Sequence, residues 1–420
     1  MSVTVSRLDN GIRVVTDAMA HVETVSVGVW VDVGARYESE RLNGVSHLLE
    51  HMAFKGTRRR SARDIAEQIE AVGGHLNAYT SRDHTTYYAR TLKEDLPLAL
   101  DILADILQHS LFDPGELARE RDVIVQEIGQ ANDTPDDIIF DDLQATAFPD
   151  QPLGRSILGT EDRVAGFNAD TVRGYMATHY RGDSMVVAAA GHVDHGGVVK
   201  LVERAFGALE RPREAGFEKA VYGGGAHHSD RPLEQLHIAL GLPSLAFDDP
   251  DYYALQVFST ILGGGMSSRL FQEVRENRGL AYSVYSFASS HADAGLFGIY
   301  AGTGPEQAGE LMPVIAGELA KLADAPLDDE VARARAQLKA GLMMSLESTS
   351  SRIEQLGRQM LIFDRIVPVE EMVDKVEAID TRAVRRVARH TRAGRLTLAT
   401  VGPRGGLADY EALAALFAGH

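Results

Sequence analysis

Not one of the 420 residues is a cysteine, which removes disulfides, thiolate metal sites and a cysteine nucleophile from consideration. Any metal must then rest on histidine, aspartate or glutamate. Basic side chains are also scarce: 42 stand against 60 acidic ones, a formal net charge of -18. That balance disfavours nucleic acid, whose binding depends on neutralising phosphates, and suits a basic partner. No apolar run approaches the roughly 20 residues that span a bilayer. Arg7, Asp9, Arg13 and Asp17 interrupt the opening twenty residues, where a signal peptide would need an apolar stretch. The expectation is a cytoplasmic protein with neither a membrane nor a nucleic acid as partner.

What is present is an ordinary globular composition, 45% hydrophobic and 24% charged, at a length suited to two or three domains. Val3, Val5 and Leu8, then Asn10-Gly11, then Ile12, Val14 and Val15 read as a β-hairpin. Val25 to Val33 alternate with small or polar residues, the pattern of a strand with one face on a core. Helices follow. One opens on the capping box Ser61-x-x-Asp64, another carries Leu96, Leu100, Leu103 and Leu107, and a third starts at the cap-plus-proline Asp113-Pro114 and runs through Glu127. Helices on one side of a mainly antiparallel sheet make an α+β domain.

The second half repeats this order. Leu236, Ile238 and Leu240 echo the early strand, Leu311, Ile315 and Leu319 echo the leucine-rich helix, and Leu117-Ala118-Arg119 returns as Val331-Ala332-Arg333, 214 positions later. Asp170-Thr171, His179 and the strand 185–190 match Asp380-Thr381, His390 and the strand 396–401. The chain therefore reads as a tandem duplication, with domains at 1–212 and 232–420. A linker is expected over 213–231, which holds Gly223-Gly224-Gly225 and few apolar residues. Two such domains can close on a cleft like a clamshell.

Chemistry concentrates in Gly44-Val45-Ser46-His47-Leu48-Leu49-Glu50-His51-Met52. The helical period sets His47 and His51 one turn apart on one face, where both imidazoles reach one ion. Glu50 points toward the same ion but is displaced, suited to hold a water as general base. Composition alone gives roughly 0.08 occurrences of His-x-x-acid-His, so the bare motif is suggestive. A catalytic zinc takes three protein ligands and keeps one position open, so a third is needed. Glu127 is the candidate, on the helix after Asp113-Pro114. Glu120, two turns earlier on the same face, suits an orienting partner for histidine or water.

With these residues the chain resembles the pitrilysin, or insulinase-like, family of inverted zincins. It is most similar to the processing-peptidase branch that includes the mitochondrial processing peptidase β subunit. Glu127 lies 76 positions beyond His51, the family's spacing. The resemblance implies one Zn2+ per chain on His47, His51 and Glu127, with Glu50 as base and Glu120 assisting. It implies a substrate strand at Asn77-Ala78-Tyr79, where an extended peptide adds by main-chain hydrogen bonds. It assigns Arg275 to a substrate carbonyl and Tyr282 to the developing oxyanion, after the glycine-rich segment 262–270. Glu120 and Glu127 shift onto Ala334 and Gly341, so the second domain carries no metal site.

The function so implied is a zinc metalloendopeptidase. It cleaves extended or presequence-like peptides, basic ones preferred, enclosed between its domains, through a water that Glu50 activates. A homodimer fits the habits of the family. Two other readings stand beside it: a non-catalytic subunit of a heterodimer, and a small-molecule hydrolase or lyase on the same motif. His192 and His195 read as a loop, and His227-His228 as solvated linker residues.

Overall fold

A computed structural model of the chain describes residues 3–210 and 216–418, so 213–215 of the expected linker lie outside the described residues. The chain divides into two compact units. One comprises Met1–Gly129, Arg155–Glu218 and Met343–Ile366; the other comprises Gln130–Gly154, Lys219–Leu342 and Val367–His420.

The first unit is built on β1 (Val3–Arg7), β2 (Arg13–Ala18), β3 (Thr24–Val31), β4 (His75–Thr80), β5 (Thr85–Leu92) and β6 (Met185–Gly191). Their order is β1-β2-β6-β3-β5-β4, antiparallel except for the parallel pair β2 and β6. Asn10-Gly11 turns β1 into β2 as the pattern requires. Gly11 has φ +95, and a Cβ there would meet the Asp183 carboxylate at 1.4 Å, so the position is closed to side chains.

One face of this sheet packs its valines against α1 (Val45–Ala53), α3 (Leu96–Gln108) and α4 (Pro114–Asp133), while α2 (Ala62–Glu70) opens on the Ser61–Asp64 capping box. The expectation of helices on one side only is corrected by the structure. The alternate residues Ser26, Gly28 and Trp30 of β3 are buried too, on the opposite face, beneath the helix Thr349–Phe363. Ser26 Oγ lies 2.8 Å from Thr349 Oγ1, and Gly357 lets that helix down so close that a Cβ would stand 2.3 Å from the Trp30 ring. Small residues that read as a solvent face are small because a helix rests on them.

The second unit holds β7 (Gly225–Ser229), β8 (Leu236–Ser244), β9 (Ala281–Ser290), β10 (Gly295–Thr303) and β11 (Thr397–Val401), in the order β7-β11-β8-β10-β9. Only β7 and β11 run parallel. Strand for strand this repeats β2-β6-β3-β5-β4, so the duplication legible in the sequence is a duplication of topology. The back of this sheet is covered by α5 (Pro135–Ala147), whose Ile139, Leu143 and Ala147 pack on Ala239, Leu296, Tyr300, Ala399 and Val401.

Each half of the chain thus lends one helix to the other half's sheet. Division by contact differs in that respect from division by repeat at 1–212 and 232–420. The expected linker is also not all linker. Its residues 225–229 form β7, and His228 Nδ1 lies 2.9 Å from Thr400 Oγ1 of β11. Among the described residues no helix is long and apolar enough to cross a membrane.

Candidate metal centre

α1 has one apolar face, and this decides where its histidines go. Val45, Leu48, Leu49 and Met52 are buried in the first unit's core, which leaves His47, Glu50 and His51 on the opposite, half-buried side. The helix begins at Gly44 in the left-handed region, φ +97, without a side-chain cap of its own. Glu38 supplies one from six residues upstream. Its two carboxylate oxygens accept the N–H of Gly44 at 2.8 Å and of Ser46 at 2.7 Å, and Asn43 Nδ2 donates at 3.1 Å. The start of the helix, two residues before His47, is fixed by these bonds.

α4 starts as its sequence indicates, with Asp113 Oδ1 accepting from Gly115 N at 2.8 Å and Glu116 N at 3.1 Å. It buries Leu117, Ile124 and Ile128 and turns Glu120 and Glu127 toward α1. His47 Nε2 and His51 Nε2 each stand 3.7 Å from Glu127 Oε2, and the two rings are 4.6 Å apart. These three ligand atoms lie within 4.8 Å of one another, the one such cluster among the described residues.

The donor set suits zinc. Two imidazole nitrogens and a carboxylate oxygen converge on one point, too far apart to be hydrogen-bonded to each other and close enough to share one small cation. Burial, reinforced by His51 alongside, pushes the His47 imidazole down to about 4, so it stands neutral with a lone pair free for a metal. His51 Nδ1 lies 3.0 Å from Glu120 Oε2, an arrangement that turns Nε2 toward Glu127. Glu120 is only 5% exposed, and its other oxygen bonds Lys55 Nζ at 2.8 Å.

Glu50 lies on the same side of α1. Its Oε2 accepts a 2.6 Å hydrogen bond from Thr80 Oγ1 at the end of β4. Burial pushes this carboxyl up from its ordinary value, while the Thr80 hydrogen bonds pull against the rise. Lys55 and Thr80 were not picked out from the sequence. Lys55 had a signal, its place one helical turn after His51, whereas Thr80 had none beyond its position next to Asn77-Ala78-Tyr79.

Asn77, Ala78 and Tyr79 lie in β4, an edge strand paired only with β5. Asn77 Oδ1 accepts the Ala78 N–H at 2.9 Å, and Tyr79 Oη donates to both oxygens of Glu354, at 2.8 and 2.9 Å. Arg275 and Tyr282 make a pair of their own in the second unit. The guanidinium sits 4.2 Å from the Tyr282 ring centre and 4.8 Å from that of Phe271, and Tyr282, on β9, is 75% exposed.

His192 and His195 are engaged elsewhere. His195 opens the helix His195–Phe206 instead of sitting in a loop, and its two ring nitrogens bond Ser6 Oγ at 2.8 Å and Thr16 Oγ1 at 2.9 Å. His192 Nδ1 meets the Val22 carbonyl at 3.1 Å.

Comparison with known proteins places the chain in a family. Residues 13–161 match the family described as Insulinase (Peptidase family M16), and residues 166–338 match the Peptidase M16 inactive domain. An uncharacterized zinc protease of Streptomyces coelicolor is 43% identical over 94% of this chain and 88% of its own length. One from Bacillus subtilis is 40% identical over 95% of this chain and 98% of its own. A probable mitochondrial-processing peptidase subunit beta of Arabidopsis thaliana is 40% identical over 97% of this chain and 80% of its own. The crystal structure of a protease from Helicobacter pylori superposes with a TM-score of 0.89 over 96% of this chain and 99% of that one, at 23% identity, a likeness of fold.

Proposed function

Because the chain belongs to the insulinase peptidases, family M16, and is accordingly a zinc metallopeptidase, we propose that it is an endopeptidase of extended basic peptides. In this reading His47, His51 and Glu127 hold one zinc ion per chain, and Glu50 is the general base. The convergence of both Nε2 atoms on Glu127 Oε2, with the Glu50 carboxylate on the same side of the helix, carries the reading.

Bound there, zinc supplies Lewis-acid polarisation of water and of the substrate carbonyl. His47, kept neutral by burial, offers its nitrogen without first losing a proton. Glu120 holds the His51 ring in the ligating orientation. Glu50 accepts a proton from the attacking water as its oxygen bonds to the carbonyl carbon. When the carbon–nitrogen bond breaks, the same carboxyl delivers that proton to the leaving amine. The open edge of β4 around Asn77, Ala78 and Tyr79 receives the peptide as an added strand. Main-chain pairing needs no particular side chains, which fits a peptidase of varied substrates. Arg275 is assigned to a substrate carbonyl and Tyr282 to the oxyanion.

A net charge of -18 favours basic peptides, the preference in keeping with the processing-peptidase name of the Arabidopsis relative. Metal analysis and a peptide-library digest of wild type and Glu50→Gln test the core of the reading. Zinc content is expected to persist in the variant, with cleavage reduced at least about 100-fold. Wild-type cleavage by Glu50→Gln removes Glu50 from the mechanism. Equal, salt-insensitive turnover of matched acidic and basic peptides removes the substrate preference.

A further inference from the structure

We propose that Thr80 is the positioning residue for the Glu50 carboxylate, an inference that rests on Glu50 being the general base. Glutamate has three side-chain torsions, and a base that must meet a water and then a leaving nitrogen cannot be left to sample them. Nothing on its own helix restrains it. Among the described residues Thr80 alone hydrogen-bonds the Glu50 carboxylate, through its hydroxyl at 2.6 Å and through its backbone N–H.

Thr80 is itself firmly set. It ends β4 opposite Thr85, and the turn that follows is closed by Ser81 N donating to His84 O at 2.8 Å. Its branched β-carbon restricts rotation about χ1, so the hydroxyl direction follows from the backbone. Strand alternation turns the next side chain to the other face, where Tyr79 Oη is held by both oxygens of Glu354. β4 is therefore pinned from behind through Tyr79 while it holds the base in front through Thr80. The strand assigned to the substrate backbone and the anchor of the base are one rigid element. A peptide docked on that edge is placed in a fixed relation to the carboxylate that serves it.

The test compares wild type, Thr80→Val, Thr80→Ser and Glu50→Gln for zinc content, thermal midpoint, kcat and KM on one peptide. Thr80→Val keeps the shape and removes the hydroxyl; kcat is expected to fall about 10- to 100-fold with KM within about twofold. Zinc content and midpoint stay near wild type. Thr80→Ser, which restores the donor, is expected to regain most of the lost kcat.

Undiminished kcat in Thr80→Val beside an inactive Glu50→Gln overturns the role of Thr80 and leaves the base in place. An active Glu50→Gln overturns the base itself. A loss in Thr80→Val that serine does not recover, or that follows a loss of zinc or of midpoint, assigns Thr80 to the fold and overturns the proposal.

Discussion

The two halves of this chain share a sheet topology and a helix order, yet among the described residues only one carries a cluster of side chains that could hold a metal. In the first half the helix after the second core strand is α1, with His47, Glu50 and His51; its counterpart in the second half, Tyr252–Gly263, buries Leu255, Val257, Phe258, Ile261 and Leu262 and has no ionisable ligand. The helix Asp328–Ser345 matches α4, and there Ala334 and Gly341 stand where Glu120 and Glu127 would be. The scaffold holds its shape with or without the site. Chemistry here is a set of side chains grafted onto a stable frame, and the frame alone predicts none of it.

Removing the graft breaks the comparison most sharply. Glu127→Ala makes α4 resemble its counterpart at the position that completes the ligand set. Zinc affinity and peptidase activity are both expected to fall by about 1000-fold or more, since two imidazoles remain of a three-ligand site. Stability in the absence of zinc should hardly move, because the Glu127 side chain is 39% exposed and packs little. Equilibrium dialysis against zinc with thermal unfolding in chelator checks both. Retained zinc and activity in this variant would remove the carboxylate from the site and the family parallel with it.

How much of this was legible in the sequence depends on the range of the signal. The hairpin at Asn10-Gly11, the cap at Asp113-Pro114 and the His-x-x-Glu-His helix are local patterns, and the structure has a hairpin, a helix start and a helix at those places. The repeat was legible because it reuses local patterns at a fixed displacement. The exchange of α5 for Thr349–Phe363 was not, since nothing near Gly357 or Ser26 says that they will meet. β7 escaped because its residues, Gly-Ala-His-His-Ser, lack strand composition and are recruited by pairing with β11. Thr80 escaped for the same reason: its bond to Glu50 spans thirty residues and is made only by the fold.

A second contrast concerns how the two matching helices begin, and pH separates them. Burial pushes Glu38, which caps α1, up to about 7 from 4.5, against the opposing pull of its hydrogen bonds. Between those values the folded protein keeps a proton that the unfolded chain has released, so stability from this group falls as pH rises through the window. The total is at most about 3 kcal/mol. Asp251, at the start of Tyr252–Gly263, is held below its usual range by hydrogen bonds from Arg386, so its contribution is present above pH 3.8 and lost only in stronger acid. Hydrogen exchange at pH 5 and pH 7 should therefore show α1 less protected at the higher pH and the second helix unchanged. Parallel behaviour of both helices would break the contrast.

The smallest effect distinguishes orientation from packing at Glu120. Its counterpart Ala334 is buried in the same register, so the first half places a carboxylate where the second places a methyl group. A buried carboxylate is unfavourable unless paired, and this one is paired with His51 and Lys55. Glu120→Ala removes the desolvation penalty together with its compensation, and Lys55 retains access to water, so the thermal midpoint should shift by no more than a few degrees. The His51 ring, in contrast, loses the bond that fixes it. Zinc affinity is expected to drop about 10- to 100-fold, and Glu120→Gln, which still offers an oxygen to Nδ1–H, to drop less. An affinity unchanged in both variants would mean that the carboxylate only fills the space its alanine counterpart fills.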